Sequence, residues 1–136
     1  MMMNDSLKSF LDSQHNNKDY DSSLIMQLYE DTDDTTVLQI LARFRETLID
    51  AIQKMEAAIE AGDTDVVWKS AHKIAGSAEL VGFSILGRVA RDLSHRLKES
   101  HNPTAFATEN KNFLEMTKRH RDVITTEFPN FKDYLS

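Results

Sequence analysis

The chain of 136 residues has the length of one ordinary domain, and its lack of cysteine excludes disulfides, thiolate metal sites and cysteine nucleophiles. Its formal net charge of −6 argues against a nucleic-acid-binding surface, because phosphate backbones select clustered lysine and arginine. The first residues lack the basic and apolar regions of a secretory leader, and no apolar run approaches the ~18 residues that span a bilayer. We therefore expect a cytoplasmic protein that binds neither nucleic acid nor a membrane.

The first 20 residues are polar, with a short apolar pattern at Leu7, Phe10 and Leu11, so residues 1–20 are predicted to form a flexible or loosely helical arm. Residues 21–23 can cap a short helix of about two turns that begins near Leu24. A long amphipathic helix follows, and Gly62 ends it. Its apolar residues recur three or four positions apart, at Val37, Leu41, Phe44, Leu48, Ile52, Met55 and Ile59.

Three further helices are predicted from the same spacing. Asp63 can cap the first of them, Gly82 ends it, and its inner stripe is Val67, Ala71, Ile74, Ala78 and Val81. The next begins at Ser84, and its inner stripe is Leu86, Val89, Ala90, Leu93 and Leu97. The last runs from about residue 104 to 127, ahead of Pro129, with Phe106, Phe113, Met116 and Val123 on its inner face.

Four long helices with one apolar stripe each and short turns between them predict an all-α fold. The economical packing is an antiparallel up-down-up-down four-helix bundle with a short additional N-terminal helix. We assign the bundle to residues 21–128 and a C-terminal tail to residues 129–136.

His72 is the candidate functional residue. Each residue of a helix advances about 100° around the axis, so a buried stripe centred on Ala71 and Ala78 places His72 and Gly76 on the exposed side. A glycine inside a helix costs about 1 kcal/mol relative to alanine, and core packing cannot explain it on an exposed face. We therefore expect something outside the molecule to come close to Gly76.

The neighbours of His72 indicate which chemistry this exposed surface could support. Lys69 lies on the same face, Trp68 lies at its edge, and Lys73 and Glu79 flank it. A neutral imidazole is a competent nucleophile near neutral pH, and two lysines can screen an anion held on it. These parts suit the transfer of a phosphoryl group onto and off a histidine.

The chain lacks the motifs of an enzyme that uses ATP. The segment GFSILGRV has the glycine spacing of a P-loop but no Lys-Ser/Thr after the second glycine, and no kinase signature or G-x-G-x-x-G is present. The acidic turn DTDDTT lacks the glycine and the final glutamate of a calcium loop. We expect a phosphohistidine carrier with no kinase activity, no ATP site and no metal site of its own.

The sequence resembles histidine-containing phosphotransfer (HPt) domains, the four-helix bundles that carry phosphoryl groups in multistep two-component phosphorelays. The resemblance covers about residues 22–125, and its centre is AHKIAGSAELVG, with the phosphorylatable histidine at His72, the small residue at Gly76 and a second glycine at Gly82. One position departs from the family pattern. The family usually has lysine three residues after the histidine, where this chain has Ala75, and Lys69 or Lys73 could take over its charge.

The resemblance implies a partner and a docking surface. The partners would be receiver domains of hybrid histidine kinases and response regulators, and Mg²⁺ would be bound by the receiver while this chain, as a monomer, binds no cofactor. The docking patch around His72 would comprise Trp68, Lys69, Lys73, Gly76 and Glu79, with Phe83 and Arg88 at its rim.

Two alternatives belong to other classes of protein. A receiver-binding module that docks and inhibits without efficient phosphotransfer would account for Ala75. A helical bundle with a di-iron site needs inward Glu-x-x-His pairs, and this chain has none. The basic run from Arg88 to Lys98 is interpreted as a solvated face, and His120 as a packed structural residue.

Overall fold

The computed structural model describes residues 3–100 and 105–128. In these ranges the chain forms six helices: α1 (Asp5–Ser13), α2 (Ser23–Asp31), α3 (Asp34–Ala61), α4 (Thr64–Val81), α5 (Ser84–Glu99) and α6 (Ala107–Glu127). Across the same two ranges, no helix combines the length and the apolar character that a membrane crossing requires.

Helices α3 to α6 form the predicted antiparallel four-helix bundle. Helix α4 packs mainly against α5 and α3, α3 also packs against α6, and α5 contacts α6 more lightly. The α3–α4 and α4–α5 connections are only two residues long, which forces each pair of neighbours to run in opposite directions. The fully buried side chains between the helices include Leu41, Leu48, Met55, Ile74 and Leu86.

The ends of α4 follow the predicted capping signals. The Asp63 side chain accepts hydrogen bonds from the backbone N–H groups of Asp65 and Val66. Gly62 and Gly82 end α3 and α4 with φ values of +73° and +103°, the left-handed conformation that favours glycine. These caps fix where α4 begins and ends, and therefore which of its residues lie at mid-length.

The prediction of a flexible or loosely attached N-terminal arm is wrong. Leu7 and Phe10 of α1 are completely buried, and the Phe10 ring lies 5.5 Å from the Tyr20 ring and 5.2 Å from the Phe128 ring, centroid to centroid. The backbone N–H of Asn4 also donates to Asp34 at the start of α3, at 2.9 Å. Two short helices, rather than one, therefore precede the bundle, and the first completes its core.

Two apolar positions also differ from the sequence analysis. Val89 and Val123 were predicted to face inward, but both are exposed. By helical spacing, Val89 lies about 70° and Val123 about 120° around the helix axis from the centre of the buried apolar residues of its helix. Val89 borders the open groove where α5 and α6 pack lightly. Pro129 and the predicted tail at residues 129–136 lie outside the described residues.

Candidate functional site

His72 lies near the middle of α4 with its side chain exposed to solvent, as the helical spacing predicts. On the opposite side of the helix, Ala71 and Ala78 are completely buried. The imidazole is therefore held on a helix whose opposite face is packed into the core, while it stays accessible to another molecule.

Gly76 lies one turn after His72 on the exposed surface, and α4 continues through it without a break. A Cβ atom built at Gly76 would meet nothing within 4 Å. Crowding inside the molecule therefore does not explain the glycine. What its missing side chain provides is a flat, open surface next to the imidazole.

A shallow hollow of about 160 Å³ lies beside His72, on the side that faces α5. It is lined by His72, Ala75 and Gly76 of α4 and by Arg91 and His95 of α5. The sequence analysis assigned Arg91 and His95 no part in the site. Their positions within α5 carry no signal of this proximity, because it depends on how two helices cross.

Gly87 explains why α5 runs so close to α4 at this point. A Cβ atom at Gly87 would lie 2.7 Å from Glu79 Cγ and 3.3 Å from the carbonyl oxygen of Ala75. Glycine thus permits a close helix–helix approach, as small residues do wherever two backbones nearly touch. The approach leaves Ala75 only 4% exposed and brings the next turn of α5, with Arg91, towards His72.

Lys69 and Lys73 lie on the other side of His72, along a groove between α3 and α4 that also includes Asp50 and Lys54. The Lys69 ammonium is 2.8 Å from Asp65 Oδ2, and this hydrogen-bonded ion pair raises the pKa of Lys69 above its usual value. Neither lysine lines the hollow beside the imidazole. Their role as phosphate-supporting residues stays a prediction.

Trp68 is half-buried at the edge of this face and packs against the core. Its indole Nε1–H donates to Asp65 Oδ1 at 2.9 Å, and its ring lies 5.9 Å from Lys69 Nζ and 5.5 Å from Lys98 Nζ. Both ammonium groups lie within the ~6 Å of the ring centroid at which cation–π contacts form. Trp68 therefore anchors α4 to the core, and its part in receiver docking stays a prediction.

Phe83 does not lie at the rim of the docking patch. It is 2% exposed and packs against the rings of Phe10, Tyr20 and Phe44 in the core, so that part of the prediction is wrong. Arg88, the other predicted rim residue, is exposed on α5. Leu80, which the sequence analysis did not single out, is 46% exposed on α4 and lines a groove with Ile40 of α3.

His120 has the structural role that the sequence analysis assigned to it. Its Nδ1–H donates to the carbonyl oxygen of Met116 at 2.8 Å, and its ring lies edge-on to Phe83 at 4.9 Å. Burial lowers the pKa of His120 below the ordinary value of 6.5. Within residues 3–100 and 105–128, no group of three or more histidine or acidic side chains is arranged to hold a metal ion.

A bundle with an accessible histidine at mid-helix has the arrangement of a phosphotransfer domain, and the comparisons agree. The family model of the Hpt domain matches residues 39–124, more than half of the chain, and the protein therefore belongs to the Hpt domain family. Membership places it among the histidine phosphotransfer domains of two-component phosphorelays.

The fold is also similar to a solved structure of the same class, the histidine-containing phosphotransfer protein B (HptB) from Pseudomonas aeruginosa PAO1. That match has a TM-score of 0.68 at 17% sequence identity and covers 89% of this chain and 100% of the other. At this identity the likeness concerns the fold. Comparison with curated protein sequences gave no match.

Proposed function

We propose that His72 accepts a phosphoryl group from the phosphoaspartate of one receiver domain and passes it to the aspartate of another. The observation that carries this proposal is the exposed imidazole of His72 at the middle of a well-packed helix, with open space around Gly76 one turn later. Membership of the Hpt domain family supports it. The proposed carrier is monomeric and cytoplasmic.

In the forward step, the lone pair of a neutral His72 ring nitrogen attacks phosphorus. The bond from phosphorus to the aspartate oxygen breaks, and the carboxylate leaves with the electron pair. The phosphorylated ring then carries hydrogen on its other nitrogen and loses that proton to water. The second transfer is the reverse reaction with a different carboxylate, so no ATP is consumed on this chain.

Phosphoryl transfer depends mainly on positioning and on the neutralisation of charge. In the proposal, the receiver supplies Mg²⁺ and the acidic residues around its aspartate, and this chain supplies a flat approach to the imidazole. Lys73 and Arg88 favour an acidic partner electrostatically. Leu80 and Ile40 add an apolar contact in the α3–α4 groove.

The docking inhibitor remains the second candidate because Ala75 replaces the usual lysine of the family. Such a module would use the same surface around Gly76 but would leave a bound receiver phosphorylated. The two functions therefore differ in whether phosphate appears on His72, and not in whether a complex forms.

The test is incubation of the purified protein with a phosphorylated receiver domain and Mg²⁺ in the absence of ATP. Mass spectrometry under alkaline conditions, which preserve phosphohistidine, then locates the phosphoryl group. We expect it on His72, absent from His72→Gln and unchanged in His15→Gln, which alters another exposed histidine. A stable complex without transfer would favour the inhibitor, and neither binding nor transfer across a panel of receivers would refute both.

A further inference from the structure

We propose that Arg91 of α5 binds the phosphoryl group on His72 and replaces the lysine that the family usually carries at the position of Ala75. This inference rests on the proposed function of His72. It assigns a phosphate-binding role to a helix whose basic face the sequence analysis interpreted as ordinary solvated surface.

Ala75 lies where α4 packs against α5. Its side chain is 4% exposed, and its carbonyl oxygen lies against Gly87 of α5. Ala75 also lines the hollow beside His72, and alanine carries no charge there. A cation on that side can come from α5, which packs against it.

Helix α5 presents a cation to the hollow beside His72. Arg91 and His95, one turn apart, line the hollow together with His72, and Arg91 is the permanently charged cation among the residues that line it. Lys69 and Lys73 line a different groove, on the α3 side. The guanidinium is planar and matches phosphate oxygens with two parallel N–H donors.

Arg91 is paired with Glu79 of α4. Its guanidinium lies 2.8 Å from Glu79 Oε2, and both side chains are about half exposed, at 54% and 44%. Exposed ion pairs contribute little to stability, so the guanidinium can leave Glu79 for a phosphoryl group that carries more charge. Glu79 thus positions Arg91 beside the hollow before phosphorylation.

The charge of Arg91 should slow hydrolysis of phosphohistidine. In that reaction water attacks phosphorus and the N–P bond breaks. The ring nitrogen keeps the electron pair and takes up one proton of the water, and inorganic phosphate leaves. The transition state is loose, and charge moves from the phosphoryl oxygens towards the leaving ring. A cation on those oxygens therefore stabilises the intact phosphohistidine more than it stabilises the transition state.

The experiment phosphorylates the full chain with phosphoramidate, a small donor that needs no receiver domain. Mass spectrometry of the peptide that contains His72 then follows the loss of phosphate at pH 7. We expect Arg91→Gln to shorten the lifetime about three- to tenfold, as loss of a partly exposed charged hydrogen bond would. Arg91→Lys keeps the positive charge but loses the two parallel N–H donors of the guanidinium, so its phosphohistidine lifetime should be intermediate.

Arg96→Gln is the matched control, because Arg96 is also an exposed arginine of α5 paired with carboxylates, those of Asp92 and Glu109. It should leave the lifetime unchanged. The ³¹P chemical shift of phosphorylated His72 should move in Arg91→Gln and not in Arg96→Gln.

Equal lifetimes and shifts in wild type and Arg91→Gln, with both proteins folded by circular dichroism, would overturn the assignment of Arg91. That result would leave receiver transfer to His72 untouched, because the two assays use different phosphoryl donors and measure different steps. Conversely, failure of every receiver to transfer would refute the proposed relay and leave the lifetime measurement valid.

Discussion

Replacing Gly76 with alanine should make the protein more stable. The glycine lies inside α4 on an exposed surface, and the added Cβ would meet nothing within 4 Å, so there is no steric penalty to subtract. Alanine is about 1 kcal/mol more favourable than glycine in a helix interior. We expect Gly76→Ala to raise the free energy of unfolding by about that amount.

Urea titration followed by far-ultraviolet circular dichroism measures this change. The midpoint should rise while the slope with denaturant stays the same, because the surface exposed on unfolding hardly changes. For a chain of this length, 1 kcal/mol corresponds to a rise in melting temperature of about 3–5 °C. Unchanged or lower stability would refute the account of an unhindered glycine in a regular helix.

Gly62→Ala is the matched control. A Cβ atom at Gly62 would also meet nothing within 4 Å, but the backbone there has a φ of +73°. Left-handed backbone costs a residue with a side chain roughly 1–2 kcal/mol, so this variant should be less stable than wild type. The two variants make the same chemical change in equally open space, and only the backbone conformation gives them opposite signs.

The same position also tests recognition. If Gly76 is kept so that a receiver can approach His72, a larger side chain should weaken receiver binding and phosphotransfer while it leaves the fold intact. Gly76→Gln should therefore fold well and transfer poorly, the combination expected where function opposes stability. Transfer at the wild-type rate would contradict the close-approach argument, whatever the stability of the variant.

Two further predictions concern stability away from the site. Phe10→Ala should lower the free energy of unfolding, measured by urea titration, by about 3–5 kcal/mol because Phe10 of α1 belongs to the core. Leu24→Ala, at an exposed position, should change it by less than about 0.5 kcal/mol. Similar effects of the two substitutions would mean that α1 is not packed as described. Burial lowers the pKa of His120, so the unfolded chain takes up the proton more readily, and stability present above pH 6.5 should be lost as the pH falls through that value. His120→Gln should flatten this part of the pH profile and His15→Gln should not, and equal flattening by both would exclude His120 as the cause.

The helices and the candidate nucleophile could be predicted from the sequence because both depend on local geometry. A stripe of apolar residues three or four apart defines a helix and its buried face, and it thereby places His72 on the opposite, exposed face. The turns at Gly62 and Gly82 were predictable for a similar reason. A left-handed backbone at the end of a helix is a property of one residue and its immediate neighbours.

The predictions that were wrong concern residues whose environment depends on segments far away in the chain. Phe10 and Phe83 are 73 positions apart in the chain, yet their rings are 6.2 Å apart in the core. A short polar-looking segment gives no sign of such a partner. The N-terminal residues were therefore interpreted as loose, and Phe83 was placed at the surface.

A helical bundle with an exposed histidine, and a glycine one turn after it, can be predicted from the sequence because helical periodicity depends only on neighbouring residues. Which residues of other helices lie next to that histidine depends on tertiary packing. Gly87 lets α5 approach α4 closely, which buries Ala75 and brings Arg91 to the hollow beside His72. The distance between two helices depends on all the side chains packed between them, and no single stretch of sequence contains that information.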